Sequence, residues 1–148
     1  MLVAPAVDLA LAACEAIAAH DAGDAARTAA PSWQAPEQLR GRADARADVW
    51  AIGAALYTAL EGAPPFRADD EAELRAAIAM EPPVPPARQV PDAIHAIVLR
   101  CLDKLVERRF QTVAELAFAL MPFASDLAAA RAVVDRCALA VGRASRPG

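Results

Sequence analysis

The sequence predicts an all-α fold, on three observations. Ala is the commonest of the 148 residues, and Ala favours helix over Gly by up to about 1 kcal/mol per position. Apolar residues recur at three- and four-residue spacing in six separate stretches. No stretch alternates apolar and polar residues with the period of two that a half-buried strand needs, and no internal repeat is present.

The first helix is expected from about Pro5 to His20, with Val7, Leu11, Cys14 and Ile17 on one face, Pro5 in its first turn and Gly23 after its end. Residues 21–36 read as an irregular stretch of small residues. The second helix, about Asp44 to Glu61, is apolar almost all round (Val49, Trp50, Ile52, Leu56, Tyr57, Leu60), which marks a central helix enclosed by others. Gly62-Ala63-Pro64-Pro65-Phe66 stops it. A short third helix, about Asp69 to Met80, is capped by Asp69 or Asp70. Five prolines between Glu81 and Pro91 then impose an extended loop.

The fourth helix, about Asp92 to Leu102, carries Ile94, Ile97, Val98 and Cys101 on one face. The fifth begins at Thr112, which forms a capping box with Glu115, and ends at Pro122. The sixth, from Ser125 or Asp126 to about Gly142, presents Leu127, Val134 and Val141 as a narrow stripe, with a frayed tail over Arg143 to Gly148. This divides the chain into residues 1–123 and an additional helix with its tail at 124–148.

Composition excludes several functions. The formal charge of −4 lacks the basic excess of a phosphate-driven nucleic-acid binder, and a chain 57% apolar can offset its ordering entropy. The longest strongly apolar run, Val49 to Leu60, falls short of the roughly 20 residues a bilayer requires. The N-terminus has no basic flank and Asp8 interrupts it early, so no secretory signal is expected. Cys14, Cys101 and Cys137 are too widely spaced for a disulfide framework or zinc site. They are expected as buried thiols in a reducing cytoplasm.

Four short motifs then occur in order: Ala35-Pro36-Glu37, Asp48-Val49-Trp50-Ala51-Ile52-Gly53, Gly62-Ala63-Pro64-Pro65-Phe66, and Cys101-Leu102 ahead of Arg109-Phe110-Gln111-Thr112. Together they resemble the C-terminal lobe of a protein kinase, nearest to the eukaryotic-like serine/threonine kinases of bacteria. The resemblance covers about Trp33 to Phe123, with Ala6 to Gly23 similar to the helix that precedes a kinase catalytic loop. The fold it implies is a helical bundle of kinase C-lobe type carrying one extra C-terminal helix.

The resemblance gives several residues physical roles. It implies an ion pair between Glu37 and Arg109 that ties the end of the activation segment to the helical lobe, although Leu105-Val106 stands where the family has Asp-Pro. Pro36, Asp48, Trp50 and Gly53 are implied scaffold residues. In the family, the aspartate at the position of Asp48 accepts N–H groups of the catalytic loop. That loop is not recognisable in this sequence, so Asp48 is expected to cap its own helix or face solvent.

The catalytic motifs do not occur. There is no Gly-x-Gly-x-x-Gly, Val-Ala-Ile-Lys, His-Arg-Asp or Asp-Phe-Gly, and the sole lysine is Lys104. His20-Asp21-Ala22-Gly23 resembles the family's turn just before the catalytic loop, yet Ala29-Ala30-Pro31-Ser32-Trp33 already sits where the family reads Gly-Thr-Pro-x-Tyr. The resemblance thus implies deletion of the catalytic base, the metal ligands and most of the activation segment. His20, Asp21 and Asp24 read as a solvent-exposed helix end rather than an acid–base pair.

The expected function is a kinase-like C-lobe remnant of pseudokinase type, without bound ATP, metal or other cofactor and without catalytic residues. Its expected partners are proteins, as a kinase's substrate or regulator would be, and neither nucleic acid nor membrane. The docking surface is expected around Trp33, Leu74 and Ile78, with apolar surface near Trp33 and Trp50 left open for a partner or the last helix. Two alternatives stand beside it: the C-lobe part of a split serine/threonine kinase, and an unrelated Ala-rich bundle.

Overall fold

The computed structural model describes residues 2–144 and 146. Seven α-helices follow in order: α1 (Val3–Ala18), α2 (Asp24–Thr28), α3 (Ala45–Glu61), α4 (Glu71–Met80), α5 (Asp92–Cys101), α6 (Val113–Leu120) and α7 (Leu127–Ala144). Short 3-10 turns lie at Pro31–Trp33, Pro36–Arg40, Val106–Arg108 and Met121–Phe123. No strand occurs among the described residues, and no helix is long and apolar enough to cross a membrane.

Helix α3 is the axis of the bundle. Its run from Ala47 to Ala54 is buried without interruption, as are Leu56, Tyr57 and Leu60. Helices α1, α2, α5 and α6 pack around it. The close approach of α3 and α5 requires Gly53, because a Cβ there would lie 2.3 Å from the Cβ of Cys101. That atom is bound directly to the backbone and cannot swing aside, so the small residue at position 53 sets the spacing of the two helices.

The caps follow from side-chain chemistry. Asp44 accepts from the N–H of Arg46 at the start of α3, Asp70 from that of Glu73 in α4, and Asp126 from that of Ala129 in α7. Each removes one of the unpaired donors of a helix start. At α6, Thr112 accepts from Glu115 N–H, while the Glu115 carboxylate reaches one residue further back to the N–H of Gln111. The proline-rich loop is fastened to the C-terminal half of α3: Glu61 accepts the N–H groups of Ala87 and Arg88, and Tyr57 donates to the carbonyl of Val84 at 2.6 Å.

Two expectations are corrected here. Residues 21–36 are not irregular: they form α2 and a 3-10 turn, because Gly23 takes φ +88° and starts a new helix on α3. The last helix packs back onto the bundle. Val134 is buried with Ala130 and Cys137, and α7 lies along α1 and α6. Ser125 is spent on Asp8 rather than on capping α7, and Arg136 pairs with Glu15. Arg143 and Ala144 continue α7 rather than fraying. Of the expected frayed tail, Ser145, Pro147 and Gly148 lie outside the described residues.

Gly53→Ala is expected to destabilise the fold by about 1–3 kcal/mol through overpacking, seen as a lower urea midpoint at unchanged slope. Gly142→Ala is the control. Its Cβ would meet nothing within 4 Å, so it should be neutral or stabilising by up to about 1 kcal/mol.

Candidate functional site

The most heavily connected side chain is Arg109, fully buried. Its Nη1 and Nη2 donate to the two carboxylate oxygens of Glu37 at 2.6 and 2.9 Å. Nη1 also donates to the carbonyl of Arg46 at 3.1 Å, and Nε to that of Asp103 at 2.7 Å. A guanidinium is planar, permanently charged and shaped for this fork, and four of its donor contacts are made here. Its flat face lies 4.9 Å from the Trp50 ring centroid. Arg109 thus joins the Pro36–Arg40 turn, the first turn of α3 and the loop after α5.

That loop forms without an Asp-Pro pair. Asp103 accepts the N–H of Leu105 at 2.9 Å, and the Val106–Arg108 turn follows. The side chain of Asp103 thereby supplies the turn that a proline would otherwise impose.

Asp48 sits elsewhere from where sequence reasoning put it. It neither caps α3, which Asp44 does, nor faces solvent, being 1% exposed. Its Oδ2 accepts the N–H of Gly23 at 2.7 Å and its Oδ1 that of Ala26 at 2.9 Å. Burial pushes its carboxyl above the ordinary aspartate value, and the two N–H donors pull it back. Gly23 is obligatory at this turn: beyond its positive φ, a Cβ would come within 2.7 Å of the Ala43 carbonyl. Gln38 completes the attachment, donating to the Ala26 carbonyl at 2.7 Å while accepting the N–H of Ala35 at 2.8 Å. Residues 19–34 therefore close onto α3 and the Pro36–Arg40 turn through backbone groups.

Trp50 stacks on Phe66, with centroids 5.5 Å apart and planes 9° from parallel. It is fully buried, so the expected apolar opening at Trp50 does not exist. Trp33 is half-buried and donates through Nε1 to Thr58 at 3.2 Å. Of the expected docking residues, Ile78 is buried and Leu74 half-buried against the core, because α4 turns its apolar side inward. Met80, 82% exposed, is what that region presents instead.

Sequence reasoning assigned no role to Lys104. Its ammonium donates to the Ile78 carbonyl at 2.6 Å and lies 4.4 Å from the Phe66 centroid and 5.5 Å from that of Trp50. Burial, followed by the like charge of Arg109, pushes its amine down to about 8. The Pro-Phe after α3 followed by a lone lysine beyond α5 was the available signal. His20 is exposed and bound through Nδ1 to the Ala16 carbonyl, and Asp24 pairs with Arg27. Neither side chain engages the other. The three cysteines are buried free thiols; burial raises all three, Cys101 to about 12.

Comparison with known proteins places this geometry in context. The family model described as "Protein kinase domain" matches residues 12–119. The chain is 42% identical over 85 residues to the serine/threonine-protein kinase PknB of Mycolicibacterium smegmatis, covering 55% of this chain and 14% of that protein. It is 41% identical over 92 residues to the DNA damage-responsive serine/threonine-protein kinase RqkA of Deinococcus radiodurans, covering 59% and 14%. A probable serine/threonine-protein kinase of Corynebacterium efficiens is 38% identical over 90 residues, again with 14% of its length covered. The chain thus spans a small part of the length of these relatives.

The depressed Lys104 gives a pH test. Folding lowers its proton affinity, so its contribution favours the folded state fully above about 10.5 and is lost as pH falls through about 8. The stability of the wild type relative to Lys104→Met should rise from about pH 8 to about pH 10.5. Taking the difference removes the opposing effect of the buried thiols, and a flat difference in urea melts across that window contradicts the assignment.

Proposed function

We propose, from the premise that this chain belongs to the protein kinase domain family, that it is a non-catalytic C-lobe, a pseudokinase-type module that engages other proteins without transferring phosphate. The observation that carries the reading is the closure of residues 19–34 onto Asp48. Two backbone N–H groups, from Gly23 and Ala26, occupy the carboxylate. The short connection between α1 and the Pro36–Arg40 turn is thus a satisfied structure with its own hydrogen bonds.

The chemistry supports the same reading. Phosphoryl transfer depends on positioning and charge stabilisation by a base, metal-binding carboxylates and phosphate-holding groups. The sequence contains none of the motifs that carry these in the family, and the gap falls inside the chain, between Gly23 and Ala35. The sole lysine, Lys104, is engaged with the Ile78 carbonyl and the Phe66 ring. The unrelated-bundle alternative falls with the family match.

The interaction part of the reading rests on the helical frame. Arg109 with Glu37 and Trp50 with Phe66 hold a rigid platform. Its outer faces present large apolar side chains, Phe118 at 65% and Met80 at 82% exposure among them, beyond what burial in the core uses.

A thermal-shift titration with Mg-ATP, paired with a phosphate-transfer assay on the chain itself and on a generic protein substrate, tests the proposal. A flat melting temperature and no incorporated phosphate are expected. A saturable upward shift or incorporated phosphate would overturn it; the split-kinase alternative would instead show as nucleotide-dependent complex formation with a partner that bears a glycine-rich loop.

A further inference from the structure

Where α1 ends at Ala18 and α7 at Ala144, the bundle encloses a cavity of about 190 Å³. The first turn of α3 and the start of α6 supply its other walls. The lining is aliphatic, with Ile17, Val113 and Val141 its largest members, except for His20, Asp48 and Thr112. An apolar cavity of about 150 Å³ holds a benzene molecule. This one has room for a six-membered ring with a short polar arm.

The acidic member of the wall is Asp48, 1% exposed. The N–H groups of Gly23 and Ala26 fill two of the roughly four acceptor positions a carboxylate offers. They satisfy hydrogen bonds without neutralising the charge, and Asp48 has no ion-pair partner among the described residues. The charged groups that act on it, Arg27 and Asp24, are bound to each other at 2.6 Å, so their effects oppose. A buried anion without a counter-ion is costly. The backbone around the cavity has the same sign: helix C-termini carry negative partial charge, and those of α1 and α7 lie in the wall. The positive starts of α3 and α6 are already capped by Asp44 and Thr112.

From these observations we infer that the cavity is a binding site for a small organic cation, an aryl- or alkylammonium whose hydrocarbon part fills the aliphatic wall and whose ammonium faces Asp48. Such a ligand matches both properties of the lining. A neutral hydrocarbon leaves the buried charge uncompensated, and an anion opposes it. A bare metal ion finds one carboxylate where hard cations take six or more oxygens, and no metal-ligating cluster occurs among the described residues. His20, exposed and bound through Nδ1 to the Ala16 carbonyl, stands at the rim. The inference does not depend on whether the chain binds ATP or another protein.

Thermal-shift and ligand-observed NMR titrations of the full chain with benzylammonium, benzyl alcohol and benzoate, at matched ionic strength, test it. The three probes share a ring and differ in charge. Benzylammonium is expected to raise the melting temperature saturably and to bind about tenfold more tightly than benzyl alcohol. Benzoate should bind no better than the alcohol. Ala18→Leu fills the cavity from the half-buried end of α1 and should abolish binding with unchanged circular dichroism. Leu139→Ala, on the exposed side of α7, should bind as the wild type does. Asp48→Asn removes the charge and should bring benzylammonium level with benzyl alcohol; if that variant unfolds, Ala18→Leu decides alone. No saturation by about 10 mM benzylammonium overturns the inference. So does equal or tighter binding of either other probe, or binding that Ala18→Leu leaves unchanged.

Discussion

Three segments that lie far apart in sequence meet at one buried guanidinium. Arg109 reaches 72 residues back to Glu37 and 63 back to the carbonyl of Arg46, and covers the face of Trp50. A buried arginine without its carboxylate would be a stranded charge, so the Pro36–Arg40 turn has no free choice of position. Once that turn is placed, Gln38 reaches the Ala26 carbonyl, and the start of α3 is held where Asp48 can receive two N–H groups. The α3–α5 contact depends on the same region, because Gly53 brings α5, and with it the loop bearing Asp103, close enough for Arg109 to bridge.

The short connection between α1 and the Pro36–Arg40 turn closes onto α3 through its own backbone groups. What Asp48 needs is backbone N–H donors at the right distance, and those carry no side-chain identity. Gly23 provides one because it alone tolerates a positive φ against the Ala43 carbonyl; Ala26 provides the other from the first turn of α2. The carboxylate is thereby satisfied by two backbone N–H groups. Lys104 follows the same pattern, its ammonium absorbed by a carbonyl and two aromatic rings.

How much of this was legible in the sequence depends on the range of the interaction. The central helix, its all-round apolar character and its glycine stop follow from periodicity, and α3 ends at Glu61 as read. The caps at Asp70 and Thr112 are local and were readable. Helix α2 was hidden because five residues carry no periodicity, and its stability comes from Asp48, distant in sequence. The assignment of Asp48 to self-capping missed that Asp44, four residues earlier, already does that work. The resemblance to kinases implies Leu74 and Ile78 as docking residues, yet the apolar side of α4 faces the Pro36–Arg40 turn and the core. Lys104 was legible as unusual by count alone, while its aromatic setting required Phe66 and Trp50 to be placed first.

The account stands on the coupling between Glu37 and Arg109, and a double-mutant cycle of Glu37→Gln and Arg109→Met, read by urea denaturation, measures it directly. If the pair is the buried clamp described, the two single variants each lose about 3–5 kcal/mol. The double variant should then be more stable than their sum predicts by about 2–3 kcal/mol. Losses that add to within about 0.5 kcal/mol would show two independent surface charges and contradict the account.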